Sequence, residues 1–394
     1  MSAATLARQV STTVTTPLAI TACGVVSPAG FGAQTLAAAL AATSAPSHYE
    51  TEQAYPTAEH ITTEDLPPRE MRAAPPLPLE ELLGRKGLRQ LDRTTALGLT
   101  ACALALGELA EPLEEQLRFR TGAIVGTNGS VRSSSEYSRE TLIQTRPYLV
   151  NPSLFPNTVM NCAAGQIAIR NSFRGVNATL AGGALAGIQA FRYARNALAR
   201  GYAEQLVVGA VEEFSPQAAW GWHNSSALQA DSPVGEGSAM FLLEGPDTTR
   251  PVLAHVLASE VAYAGGARVS LIDTLTSVIR SALSRSGIDA STVTDVALGA
   301  TGQIGLETIE IQAVKAALGD AVVQLLQPKL VTGETFSAGA ALQLAALLGT
   351  WDLSGDVGDE RVGLVTAISP DGNVGCVVVR SAAYFEGKSH VSAG

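Results

Sequence analysis

Asn177–Ala190, NATLAGGALAGIQA, decides how the rest of the chain is read. It opens as a short β-type run, passes through Gly182-Gly183, and becomes a helical pattern with Leu185, Ile188, Phe191, Ala194 and Leu198 on one stripe. A strand-to-helix turn this tight carries one side chain at its apex, over the N-terminus of the new helix. An enzyme uses such a place to expose a nucleophile and help it electrostatically. The apex residue is Ala184. A methyl group attacks nothing, so the stretch predicts an enzyme-shaped site without a nucleophile.

Outward from this turn the pattern alternates between strand and helix. Upstream, residues 1–16 read as a disordered leader, Leu18–Val26 as a strand, Gln34–Ala42 as a helix, and 44–86 as an irregular surface excursion carrying seven prolines. Asp92–Leu109 is a strongly apolar helix and Gly122–Gly126 a buried strand. Asn128–Ile143 is polar, with Val131, Tyr137 and Leu142 spaced like one helix face, and Asn151–Ala168 opens with two prolines before a second apolar helix. Gln205–Gly209 and Gly235–Leu243 follow as strands.

At Gly245-Pro246 the pattern restarts. Strands are expected at Val252–Ala264, Val293–Leu298, Lys329–Thr332, Arg361–Ile368 and Gly375–Arg380, and helices at Ser270–Gly287, Glu307–Leu318 and Ala338–Leu348. Pro370-Asp371-Gly372-Asn373 is a good hairpin turn. Two successive β/α halves, 17–245 and 246–394, suggest a duplicated α/β unit in one body.

Bulk composition narrows the function. Charged residues are 16% and hydrophobic ones 46%, which suits a well-packed α/β protein and excludes a disordered one. A net charge of −10 argues against nonspecific binding to nucleic acid or an anionic membrane. Cys23, Cys102, Cys162 and Cys376 are scattered without a CxxC pair, so metal and disulfide readings are weak and a reducing cytoplasm is expected. No metal or cofactor is expected. The longest apolar run, Ala96–Ala110, carries Glu108 and reads as a buried helix, not a membrane span.

The order of motifs resembles the β-ketoacyl-acyl-carrier-protein synthases, the condensing enzymes of the thiolase fold. The likeness runs from about Leu18 over nearly the whole chain. ITACGVVSPAGFG is similar to the family's opening strand and turn, and NPSLFPNTVMNCAAGQIAIRNSFRG to its dimer-interface segment. GYAEQLVVGAVEEFSP and VGEGSAMFLLEGP resemble its next two signatures. The resemblance implies two duplicated mixed-sheet β/α halves in a layered αβαβα body.

In that family the apex position is a cysteine that becomes acylated, and two histidines help decarboxylate the malonyl carrier. The cysteine position here is Ala184. The first histidine motif aligns with Gly299-Ala300-Thr301-Gly302-Gln303, anchored by Glu307 and Glu310, so its histidine position is Gly299. The second aligns with Gly333–Gly339, so its histidine position is Glu334, preceded by the basic residue Lys329. The glycine-rich gate near the C-terminus is similar to Ser369–Gly375, from which Pro370 and Asp371 depart. His48, His60, His223, His255 and His390 fall in none of these motifs and are read as surface or core imidazoles.

Other polar groups are read plainly. Gly235-Glu236-Gly237 lacks the Lys and Ser/Thr of a phosphate loop and precedes a strand. Glu212-Glu213 and Glu307/Glu310 are taken as caps and solvated faces, and Glu334 as a structural ion pair with Lys329. Arg192, Arg195 and Arg200 offer either a carrier-protein docking patch or a solvated helix face.

The resemblance implies a chain length factor, the inactive partner of a ketosynthase in type II polyketide assembly. The active subunit would supply cysteine and histidines, and this chain would complete the heterodimer and wall off the acyl tunnel. A carrier protein would act through the partner. The interface is expected at Ala178, Thr179 and Leu180, which pair with the partner's equivalent strand, and at Phe155, Asn157, Thr158 and Met160. Tunnel-lining residues are expected at Asn128, Val131, Ser134 and Tyr137, with Tyr137 as the floor. Two readings stay open beside it. One is a stand-alone enzyme of acyl transfer, hydrolysis or decarboxylation, with Ser130, Ser133–Ser135 or Ser337 as nucleophile. The other is a homodimeric acyl-binding protein.

Overall fold

The computed structural model describes residues 14–44, 66–265, 268–354 and 360–382. The leader up to residue 13, residues 45–65 of the proline-rich excursion, and His48, His60 and His390 lie outside the described residues.

Ten principal strands lie in one eleven-stranded sheet. In chain order they are β1 (Leu18–Ser27), β2 (Thr121–Gly126), β3 (Asn177–Leu180), β4 (Gln205–Glu212), β5 (Gly237–Glu244), β6 (Ala254–Tyr263), β7 (Asp295–Ala297), β8 (Gln324–Leu326), β9 (Val362–Ile368) and β10 (Asn373–Ser381). The two-residue strand Gly30–Phe31 pairs with β1. The main helices are α1 (Ala33–Ser44), α2 (Arg93–Gly107), α3 (Val131–Ile143), α4 (Cys162–Asn171), α5 (Ala186–Ala199), α6 (Pro216–Ser225), α7 (Arg268–Ser286), α8 (Leu306–Leu318) and α9 (Gly339–Ser354).

The sheet is built from two copies of one arrangement. β1 and β6 join antiparallel at Leu18↔Val256, Ala19↔His255 and Ile20↔Ala254. Outward from that joint the order is β1-β5-β4-β2-β3 on one side and β6-β10-β9-β7-β8 on the other. On each side the first two pairings are antiparallel and the last two parallel. The duplication is therefore plain in topology, although the two halves share little sequence pattern.

Layers follow from which faces are apolar. α2 and α4 cover the outer face of the first half, and α7 and α8 that of the second. α5 and α9 lie between the halves and touch strands of both, with α1 against α9. Strands covered on both faces read as continuous apolar runs, and β1, β2, β4 and β5 are buried throughout. The central core holds Phe191 of α5 against Phe241 of β5, ring centroids 5.6 Å apart, together with the alanine- and leucine-rich α9. The result is the layered αβαβα body that the resemblance implies.

Two elements differ from expectation. Lys329–Thr332 is a short helical turn, not a strand. Pro328 stands at its start with φ −57° and has no N–H to give a sheet ladder, and Gly333 ends the turn with φ +71°. The strand of that segment is β8, a few residues earlier, parallel to β7. α6 was not expected, although its start is written in Ser215-Pro216: the Ser215 hydroxyl accepts from the Ala218 amide at 3.2 Å and Pro216 occupies the first turn. Among the described residues, no helix is long and apolar enough to cross a membrane.

Candidate functional site

β3 ends at Leu180, and the chain turns through Gly183–Leu185 into α5. Gly183 adopts φ +55°, a conformation that suits glycine and lets the strand meet the helix at once. Ala184 is half-buried at the apex and packs on the central core, while Leu185, Ile188, Phe191 and Ala194 carry α5 into it.

The second half repeats this turn at Phe336–Ala338, which leads into α9. Phe336 takes the uncommon φ of +41° for a side chain of its size. Its ring stands over the first turn, so close that a Cβ on Gly183 would meet it at 3.0 Å, and Trp222 packs edge-on behind it at 5.7 Å.

Gly299 and Glu334, expected from the resemblance at the two histidine positions, are each engaged in other interactions. The amides of Gly299 and Ala300 donate to the Glu310 carboxylate at 3.0 and 2.8 Å, and the Thr366 hydroxyl donates to it at 2.7 Å. A Cβ at Gly299 would lie 2.5 Å from the Thr366 carbonyl oxygen. At the second position, Glu334 Oε2 accepts from Lys329 Nζ at 2.6 Å and Gln303 Nε2 at 2.7 Å, and Oε1 accepts from the Phe336 amide at 2.8 Å. Glu334 and Lys329 are both buried, and the pair expected from sequence is present. It binds the 329–336 segment together and leaves Glu334 committed to three donors. A polar cleft of about 300 Å³ opens beside it, bordered by Arg72, Ser232, Thr301, Glu307 and Gln327.

Three carboxylates read as caps or solvated faces are buried instead. Glu310 is fully covered, and Glu213 accepts from the Thr94 amide, the Arg132 amide and the Ser130 hydroxyl. Glu212 lies beside Ser337 and Asn128, and its Oε2 has no hydrogen-bond partner. Glu307 is only partly buried and accepts from Gln327 and the Gly302 amide. The donors are largely backbone amides brought in by tertiary turns, which residue spacing does not reveal.

Burial pushes Glu212 up to about 8, with the neighbouring Glu213 adding to the rise, and pushes Glu213 up to about 7. Both carboxyls therefore bind protons more tightly folded than unfolded. Their stabilising contribution is complete below the unfolded carboxyl range and is lost as pH rises through 7 and 8. Glu212→Gln should flatten this decline and be more stable than wild type at pH 8.5. Thermal midpoints of both proteins at pH 6 and 8.5 check this, and equal slopes would refute it.

The expected tunnel residues divide. An open groove of about 690 Å³ is lined by Asn128, Val131, Ser134 and Ser138 on one side and by Thr158 and Met160 on the other. Tyr137 is not among its lining residues. Its ring stands edge-to-face on Phe155, with centroids 5.9 Å apart, because it leaves α3 toward the Pro152–Thr158 turn.

The segment expected at the interface is open. β3 is the terminal strand of the first half, and Phe155, Val159 and Met160 are exposed, as are Leu142, Ile143, Tyr148, Leu149 and Ile169. Asn157 turns back instead and donates to the Gln90 carbonyl.

Of the candidate serines, Ser130 caps α3 and donates to Glu213, Ser134 donates to the Ser130 carbonyl, and Ser135 lines the groove. The Ser337 hydroxyl is buried without a hydrogen-bond partner among the described residues. His223 stands edge-on to Trp220, and His255 lies on β6. Arg195 donates to the carbonyls of Thr16 and Val256, which makes it a structural tie, while Arg192 and Arg200 are exposed.

Known proteins share this frame. Residues 15–244, more than half of the chain, match the family profile described as "Beta-ketoacyl synthase, N-terminal domain". The 3-oxoacyl-acyl-carrier-protein synthase 2 of Vibrio cholerae is 21% identical over 322 residues, covering 72% of this chain and 76% of the relative. The tetracenomycin polyketide synthase ketoacyl synthase beta subunit of Streptomyces glaucescens is 25% identical over 289 residues, 66% of this chain and 69% of its own. Among solved structures, the ishigamide ketosynthase/chain length factor superposes with a TM-score of 0.79 at 31% identity, over 93% of this chain and 99% of that one. With the family profile matched over more than half of its length and the fold shared with the ketosynthase/chain length factor, the chain belongs to the beta-ketoacyl synthase family.

Proposed function

We propose that this chain is a chain length factor: a non-catalytic subunit that pairs with an active ketosynthase and shapes the acyl tunnel of a type II polyketide assembly in the cytoplasm. The observation that carries the reading is the state of the three catalytic positions. Ala184 has no nucleophile, Gly299 has no room for a side chain, and Glu334 is tied to Lys329 and Gln303. The likeness to a ketosynthase/chain length factor at 31% identity supports it. In this role the partner supplies cysteine and both imidazoles, a carrier protein delivers its acyl group to that partner, and the apolar surface around β3 meets the ketosynthase.

Co-expression tests the pairing. The chain should purify as a stable heterodimer with an intact ketosynthase and should not condense acyl and malonyl carriers by itself. Condensation by the chain freed of partner would sink the reading. The groove next to the open edge is then the wall of the growing chain. Val131→Trp and Ser134→Phe each place a bulky ring in it and should shift products of the reconstituted pair to shorter lengths by at least one extension unit. Unchanged lengths at normal yield in both would put the chain elsewhere.

A further inference from the structure

α3 supplies one wall of the groove, yet none of its residues is buried. Beyond the Tyr137–Phe155 ring contact, apolar packing does little to fix where this helix stands. Its first turn is held by polar contacts instead. Glu213, 2% exposed, follows β4 and reaches two helix starts at once. One oxygen accepts from the Thr94 amide in the first turn of α2 at 3.2 Å. The other accepts from the Ser130 hydroxyl at 2.9 Å and the Arg132 amide at 3.1 Å, at the start of α3. Ser130 in turn caps α3 by accepting from the Ser133 amide at 3.0 Å. Val131, Ser134 and Ser138, which face the groove, rise directly from this anchored turn. Opposite them, the Ser134 hydroxyl reaches the Thr158 carbonyl at 3.4 Å across the groove's base.

We propose that Glu213 is a positioning residue for product length: its carboxylate brackets the first turns of α2 and α3 and so fixes how far the α3 wall stands from the Thr158–Met160 wall. The proposal rests on the groove receiving the acyl chain. α2 is capped by Asp92, so its own start is already set, and Glu213 transfers that fixed point to α3. No neighbouring cation takes over the role. The Arg132 guanidinium is turned out to Glu136, and Arg93 is paired with Glu236. Without the bracket, α3 would keep its weaker ties to the opposite wall, Ser134 to the Thr158 carbonyl and Tyr137 on Phe155, but lose the fixed point at its first turn, and the length limit would blur rather than move one way.

The test uses the reconstituted heterodimer with an active ketosynthase. Glu213→Leu removes all three acceptor contacts at similar size, and Glu213→Gln keeps one acceptor oxygen for Ser130 and Arg132. Amide hydrogen exchange at residues 132–134 should quicken at least tenfold in the Leu variant and less than threefold in the Gln variant. Products of the Leu variant should spread to both longer and shorter chains, and the Gln variant should keep the wild-type distribution. If the Leu variant does not fold, Ser130→Ala removes one donor from the bracket and should show the same two effects in weaker form. Unchanged exchange would overturn the proposal. So would sharp product lengths in the Leu variant while Val131→Trp shortens products, which leaves the groove in place and removes the bracket. If Val131→Trp also has no effect, the groove reading fails and the role of Glu213 in product length falls with it.

Discussion

Gly299→His, alone or together with Ala184→Cys and Glu334→His, is expected to destabilise the chain without making a condensing enzyme. A Cβ at residue 299 would stand 2.5 Å from the Thr366 carbonyl and 3.2 Å from Ala367 Cα, both backbone atoms of β9. β9 is the parallel neighbour of β7, from which residue 299 follows, so neither side can yield without disturbing the sheet. Overpacking of this kind costs about 1–3 kcal/mol, and a whole imidazole belongs at the upper end. Displacing the backbone also disturbs Glu310, whose carboxylate is held by the amides of 299 and 300. Glu334→His adds a second cost. It strips the buried Lys329 ammonium of its carboxylate, and breaking a buried pair costs about 3–5 kcal/mol. The triple variant should therefore melt well below Ala184→Cys and show no condensation above background, whereas Ala184→Cys should fold normally and be equally inactive. Thermal melts and a condensation assay with acyl and malonyl carriers decide it. A triple variant that melts within about 2 °C of wild type, or that turns over, would mean the histidine positions are open.

What the sequence made legible is what depends on local pattern. β1, β2, β4 and β5 are long apolar runs because both of their faces are covered, and such runs are readable as strands. The apex turn was readable because Gly182-Gly183 separates a β-type run from a helical stripe, and the structure places Ala184 at that turn. Misreadings arose where tertiary contacts or one backbone detail decide. Leu330-Val331 within Lys329–Thr332 imitates a strand, but Pro328 denies it a ladder. Glu213 and Glu310 carry no mark of burial in sequence, because the amides of Thr94, Arg132, Gly299 and Ala300 that receive them come from distant turns. Tyr137 lies on the helix that the spacing indicates, but Phe155, eighteen positions on, takes its ring edge-to-face, and it does not line the groove. Phe336 and Trp222, which stand over the vestigial apex, become neighbours only when the two halves close on each other.

Met160→Asp is expected to break the complex with the ketosynthase while leaving the chain itself folded. Met160 is 50% exposed, and Phe155, Val159, Leu142, Ile143 and Leu149 are exposed around it. An apolar patch of this extent marks a surface that is covered in the working protein. β3 ends the first half of the sheet and offers an unpaired edge, which a second strand satisfies. A carboxylate placed at residue 160 loses water on assembly among mostly apolar neighbours, and the charged side chain that shares the groove's lining is the exposed Arg139. The cost of an unpaired buried charge is about 3–5 kcal/mol, which weakens the complex by roughly a hundredfold to several thousandfold. Thr158→Asp, half-buried at the base of the same segment, should act in the same direction. Ile311→Asp provides the control: Ile311 is 39% exposed on α8 in the other half, far along the chain from β3, and its change should leave the pair intact. Sedimentation at decreasing concentration, with circular dichroism to show that each variant is folded, reads both effects. A heterodimer that stays whole at nanomolar concentration with Asp at 158 or 160 would place the partner on another face, and dissociation by Ile311→Asp would place it on the second half.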